Sequence, residues 1–173
     1  MSRRHQTGAA FSLPELLVTV AVLGILGALA FGSGAELLAR QRVEASTRLL
    51  LEGIQQGRAE AERRGEPCGL SLGDGGWQAP GDGTLPACQG ALSDLGDNHR
   101  GQGVEWASNL PLSLRFTANG LLIDGGTVVV WGRGTALQRC VVMALPLGVL
   151  RVGRYEGDPQ GLQSANCLRD GAP

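Results

Sequence analysis

Lysine is absent from this 173-residue chain, histidine occurs twice, and aromatic residues make up only 4% of it. All fifteen basic residues are arginine, which we attribute to genome composition before chemistry. The formal charge is −1, and −3 without Arg3 and Arg4, so bulk charge leaves no footprint for nucleic acid. His5 stands among the first ten residues, and His99, between Asp97 and Arg100, reads as a solvated loop residue. No G-x-S-x-G, H-E-x-x-H or GK[ST] occurs, which removes support for serine hydrolase, zincin and P-loop chemistry. Nor is there a C-x-x-C pair: Cys68, Cys88, Cys140 and Cys167 are separated by 20, 52 and 27 positions, against the spacing of a zinc site. Gly-Asp-Gly-Gly at 73–76 and Gly-Asp-Gly at 81–83 follow no EF-hand or nonapeptide spacing, so they read as turns rather than calcium loops. The sequence therefore points away from an enzyme and asks for no cofactor or metal.

Glycine is abundant, at 28 residues, and residues 11–31 form one nearly unbroken apolar run with a lone carboxylate, Glu15, near its start. A charge at that depth in a membrane span costs roughly 2.5 to 3.5 kcal/mol on insertion scales, which makes Glu15 a functional residue by expectation. Arg3 and Arg4 precede the run and place the N-terminus in the cytoplasm by the positive-inside bias. The four cysteines all follow it, as in an exported, oxidised domain. Three disulfide pairings are possible. Cys68 with Cys88 and Cys140 with Cys167 are favoured, each worth roughly 3 to 3.5 kcal/mol by loop-closure arithmetic. A secretory signal cleaved after Ala28-Leu29-Ala30 and a plain membrane anchor are rival readings of the segment.

Gly24, Gly27 and Ala28 give the span small faces that allow neighbouring helices to approach, and Gly32-Ser33-Gly34 loosens the pattern at about 1 kcal/mol per glycine. Beyond the glycines, Leu38, Val43, Leu50, Ile54 and Ala61 recur at helical spacing, while charges including Arg40, Arg48 and Glu60 cover other faces. The helix is expected to run from Leu13 to Arg64, about 78 Å at 1.5 Å per residue against a ~30 Å hydrocarbon core, so half of it must support a head. Gly65 and Pro67 end it. Strands are expected at 68–72, 112–117, 121–123, 127–131, 138–145 and 149–154, with turns at Asn119-Gly120 and at residues 145–148. Residues 73–109 show little periodicity and read as a long irregular stretch stapled by Cys68 and Cys88.

The block AAFSLPELLVTVAVLGILGALAF resembles the type IV prepilin N-terminus, with a small residue, an aromatic and then a carboxylate at the fifth position. The resemblance implies cleavage by the prepilin peptidase between Ala10 and Phe11, N-methylation of Phe11, and a filament-assembly role for Glu15 opposite the positive N-terminus of a neighbouring subunit. The family usually has glycine before the scissile bond, where this chain has Ala10. Pro14 falls in the new first turn, where its missing N–H costs nothing.

LLLEGIQQGRAEAERRGEPCGLSL, LRFTANGLLIDGGTVVVW and RCVVMALPLGVLRVGR are similar to the minor pilin family that includes the H-type pseudopilins of type II secretion and their type IV pilus relatives (GspH/FimT). The likeness covers residues 11–64 and 112–154; residues 73–109 and those after Tyr155 show no match. It implies an α+β, pilin-like fold: a leader at 1–10, a transmembrane helix segment at 11–34, an amphipathic spine at 35–66 and a disulfide-containing antiparallel β head at 67–173. It further implies a non-enzymatic minor pilin or pseudopilin acting in filament initiation or at the tip. Its partners are the prepilin peptidase, other pilins and the inner membrane, with the head periplasmic before assembly into a periplasmic or extracellular filament. The alternatives are an H-type secretion pseudopilin that helps export folded proteins and a membrane-anchored periplasmic binding domain. Pilus-type members act in DNA uptake through a C-terminal G-R-x-R element; here Val149 stands where the first arginine belongs, and Arg139, Arg151, Arg154 and Arg169 are the candidate DNA contacts, with Glu156, Asp158 and Asp170 close enough in sequence to neutralise them.

Overall fold

The computed structural model describes residues 12–94, 103–145 and 148–170, without the side chains of 28–33, 93 and 94. The Ala10–Phe11 junction, His99 and its neighbours, and residues 146–147 lie outside these residues. The chain divides into two compact units, Met1–Glu36 and Leu37–Pro173.

Helix α1 spans Leu13–Arg64, the bounds its sequence implies. The Ser12 carbonyl accepts from the N–H groups of Glu15 and Leu16, while Pro14 sits in the first turn, where a helix needs no donor. The backbone is helical through 32–34, where glycine predicts a loosening. Gly65, at φ 66°, ends the helix by donating its N–H to the Ala61 carbonyl at 2.9 Å.

In the second unit the buried seam of α1 runs Ala39, Val43, Leu50, Ile54 and Ala61. Leu38, expected in that seam, is 53% exposed, because one position rotates a helical side chain by about 100°, and Ala39 takes its place. Glu60, expected on a solvated face, is buried and lies 2.5 Å from Arg63 and 2.6 Å from Arg64.

The head holds two antiparallel sheets. One contains β1 (Cys68–Gly73), β2 (Gly76–Gln78), β3 (Ser93–Asp94) and β5 (Leu114–Phe116), in the order β3-β2-β1-β5. The other contains β4 (Val104–Ser108), β6 (Gly126–Gly132), β7 (Gln138–Ala144), β8 (Val149–Tyr155) and β9 (Cys167–Arg169), in the order β4-β6-β7-β8-β9. Four of these strands correct the sequence reading: β2, β3 and β4 lie in the stretch expected to be irregular, and β9 lies beyond the last expected strand. Residues 121–123, expected as a strand, make one isolated bridge, Phe116 to Leu122, after a turn in which Gly120 donates to Thr117 at 2.8 Å.

The central strands β6 and β7 of the five-stranded sheet are buried on both faces. Val128, Val130, Val141 and Met143 pack with Leu50 and Ile54 of α1, while Val129, Cys140, Val142 and Tyr155 pack with Cys167 on the other side. Double burial explains why β6 and β7 read as continuous apolar runs without alternation. The disulfides are Cys68–Cys88 and Cys140–Cys167, with Cα–Cα distances of 5.2 and 5.8 Å. The first closes a segment that also returns to β1 through Cys88 N–H to the Gly69 carbonyl at 3.1 Å. The second ties β9 to β7 across the intervening strand β8.

Candidate functional site

The site residues expected from the sequence fall into two sets, one in each unit. In the first unit, Glu15 occupies the first turn of α1, where the partial positive charge of the unpaired N–H groups favours a carboxylate. Around it apolar side chains face outward in every direction: Leu13 is 74% exposed, and Leu16, Leu17, Val18, Val20 and Leu23 are likewise exposed. A Cβ added at Gly24, Gly27 or Gly34 would meet nothing within 4 Å. This surface is apolar all round and has unfilled positions for close helix approach. Among the described residues no helix is long and apolar enough to cross a membrane; the described apolar side chains of this run end at Gly27. Ala10 and Phe11 lie outside the described residues.

In the head, the candidate arginines divide between two faces of one sheet. Register pairs Arg139 with Arg154 on the side facing α1, and Val142 with Arg151 on the opposite side. Arg169 pairs with Gly153 and so shares the Arg151 side. Arg151 donates to the Ser164 carbonyl at 2.6 Å. Arg139 forms a bidentate pair with Asp170 at 2.6 and 2.8 Å, and its Nε lies 3.3 Å from Glu44. Its side chain is only 11% exposed, and the hydrogen-bonded guanidinium holds the Asp170 carboxyl below the usual carboxylate range. Arg139 is thus committed within the head.

Between α1 and this face lies a cleft of about 900 Å³. Arg40, Glu44 and Arg48 line it from the helix, Arg139 and Arg154 from β7 and β8, and Asp170 from the residue after β9. Sequence reasoning missed Arg40 and Arg48 as partners of Arg154. The signal was present, since 40, 44 and 48 are four apart and form one stripe on a helix.

The Gly-Asp-Gly at 81–83 is a turn: Asp82 accepts from the Thr84 N–H at 3.1 Å and from its hydroxyl at 2.9 Å. No group of three His, Cys, Asp or Glu side chains fit to hold a metal occurs among the described residues.

The family model described as type II transport protein GspH matches residues 46–146, more than half of the chain. The match spans residues 46–64 of α1, both sheets through β7, and the Cys68–Cys88 disulfide. No curated protein and no solved structure matches the chain significantly.

Proposed function

The chain belongs to the GspH family of pilin-like subunits, and from that premise we propose that it is cut by the prepilin peptidase between Ala10 and Phe11, held in the inner membrane by residues 11–34, and drawn into a filament through Glu15. Members of this family are structural pseudopilins or minor pilins that associate with other pilins. The observation that carries the proposal is the exposed apolar surface of the first-unit part of α1 with a single carboxylate in its first turn. A carboxylate in lipid is costly alone and becomes favourable against a fixed positive charge. The ammonium of methylated Phe11 on an adjoining subunit supplies such a charge. The head faces the periplasm and acts in filament initiation or at the tip.

Membership of a type II transport family favours a second reading, a secretion pseudopilin that helps move folded proteins outward. Deleting the gene and assaying pilus assembly, secretion and transformation separates the readings: loss of secretion alone marks the secretion subunit. A part in DNA uptake would fall to Arg151 and Arg154, which lie on opposite faces of the sheet, because Arg139 is engaged by Asp170. A gel shift on the full chain, with those two arginines replaced, tests it; absence of salt-sensitive binding in the parent ends that reading.

A further inference from the structure

The cleft between α1 and the sheet carries more positive charge than its own carboxylates neutralise. Four arginines, at positions 40, 48, 139 and 154, face two acids, Glu44 and Asp170, and both acids lie against Arg139. The side chains of Arg48 and Arg154 are exposed at its walls; Arg48 enters no side-chain hydrogen bond or salt bridge among the described residues, and Arg154 acts on Asp170 only through its charge. Leu49 and Leu137 supply apolar lining, which strengthens any charge pair formed above them. The chain taken whole has the opposite sign, with a formal charge of −3 once Arg3 and Arg4 are removed.

Resting on the filament reading above, we infer that this cleft docks a carboxylate-bearing segment of the neighbouring filament subunit. A guanidinium grips one carboxylate with two parallel donors, and Arg48 and Arg154 approach the cleft from different elements, so an acidic side chain between them would be held from both sides. A nucleic-acid backbone fits less well. Its successive phosphates would meet the exposed Asp170 and the half-buried Glu44 as well as the arginines. The contact is heterologous, a basic cleft on one subunit against an acidic segment on the next, which is the type of interface that builds open helical assemblies. Its effect falls on register and partner choice more than on total affinity.

The test places a photo-crosslinking amino acid at Gln41, which lines the cleft, in the full-length chain in its own cells, with a second probe at Leu17 on the apolar helix. The expected result is a Gln41 adduct with an Asp- or Glu-containing peptide of another filament subunit. Its yield falls about tenfold in Arg48→Glu with Arg154→Glu and is kept in Arg48→Lys with Arg154→Lys. Intact disulfides in the reversed variant exclude misfolding; the single change Arg48→Glu on the exposed helix face is the second variant, with a drop of about threefold. A Leu17 adduct without a Gln41 adduct overturns the inference and leaves the filament reading standing. So does a Gln41 adduct with nucleic acid, lipid or a segment lacking carboxylates, or a yield indifferent to charge reversal. Loss of both adducts in the parent chain overturns the filament reading as well.

Discussion

A methyl group at position 53 has nowhere to go, because a Cβ there would overlap the ring of Trp77, whose Nε1 donates to the Leu50 carbonyl at 2.9 Å. Exchanging glycine for alanine inside a helix ordinarily gains up to about 1 kcal/mol. At this site the sign reverses, and Gly53→Ala should destabilise the protein by about 1 to 3 kcal/mol through overpacking, read as a lowered melting temperature in detergent. Two arginine-paired aspartates contribute to the acid limit. Asp124 is held below the usual carboxylate range first by hydrogen bonds from Arg115, and Asp170 by Arg139. A carboxyl whose folded pKa is depressed contributes stability that is complete above its unfolded value, near 3.9, and is lost as pH falls through the folded value. Melting temperature should therefore drop below about pH 4 in the parent chain and drop less steeply in Asp124→Asn with Asp170→Asn. At this scale the sequence was readable by period, which located Val43, Leu50, Ile54 and Ala61. It failed at Leu38 and Glu60, where one helical step and two flanking arginines decide which side chain turns inward.

At the scale of elements, long periodic segments were legible and short ones were not. The fifty-two-residue helix announces itself by apolar spacing, and the long strands β6, β7 and β8 by β-branched apolar runs. Strands β2 and β3 have three and two residues, too few to show alternation, and β9 has three. β9 is created by tertiary constraint: its disulfide to Cys140 and the Arg139–Asp170 pair hold it on β8, where Gly153 permits close backbone approach to Leu168. β4 did leave a trace, since Val104 and Trp106 both pack into the core on alternate positions around Glu105. Replacing Cys140 and Cys167 together by serine should cost about 2 to 4 kcal/mol in chemical denaturation. Hydrogen exchange should quicken first at 164–170, with β1 and β2 protected until global unfolding; uniform loss of protection would show that the bridge serves the entire head.

For the whole molecule, the α+β architecture was legible because a single long helix followed by short strands admits few packings. The arginine cleft was not, since it joins α1 to the residue after β9 across the full length of the head sequence, a juxtaposition no local pattern encodes. Assembly belongs to this scale too. Glu15→Ala should lower incorporation into filaments about tenfold or more at equal membrane content, as judged by shearing and immunoblotting, because removing the carboxylate leaves a neighbouring ammonium unpaired in lipid. The intact mass of the mature chain recovered from membranes and filaments reads both the cleavage and the retention of the apolar helix. The expected mass is that of a chain that begins at Phe11, carries one N-terminal methyl group and retains the apolar helix. A mature chain that starts downstream of Ala30, or one that keeps residues 1–10 within assembled filaments, would contradict it.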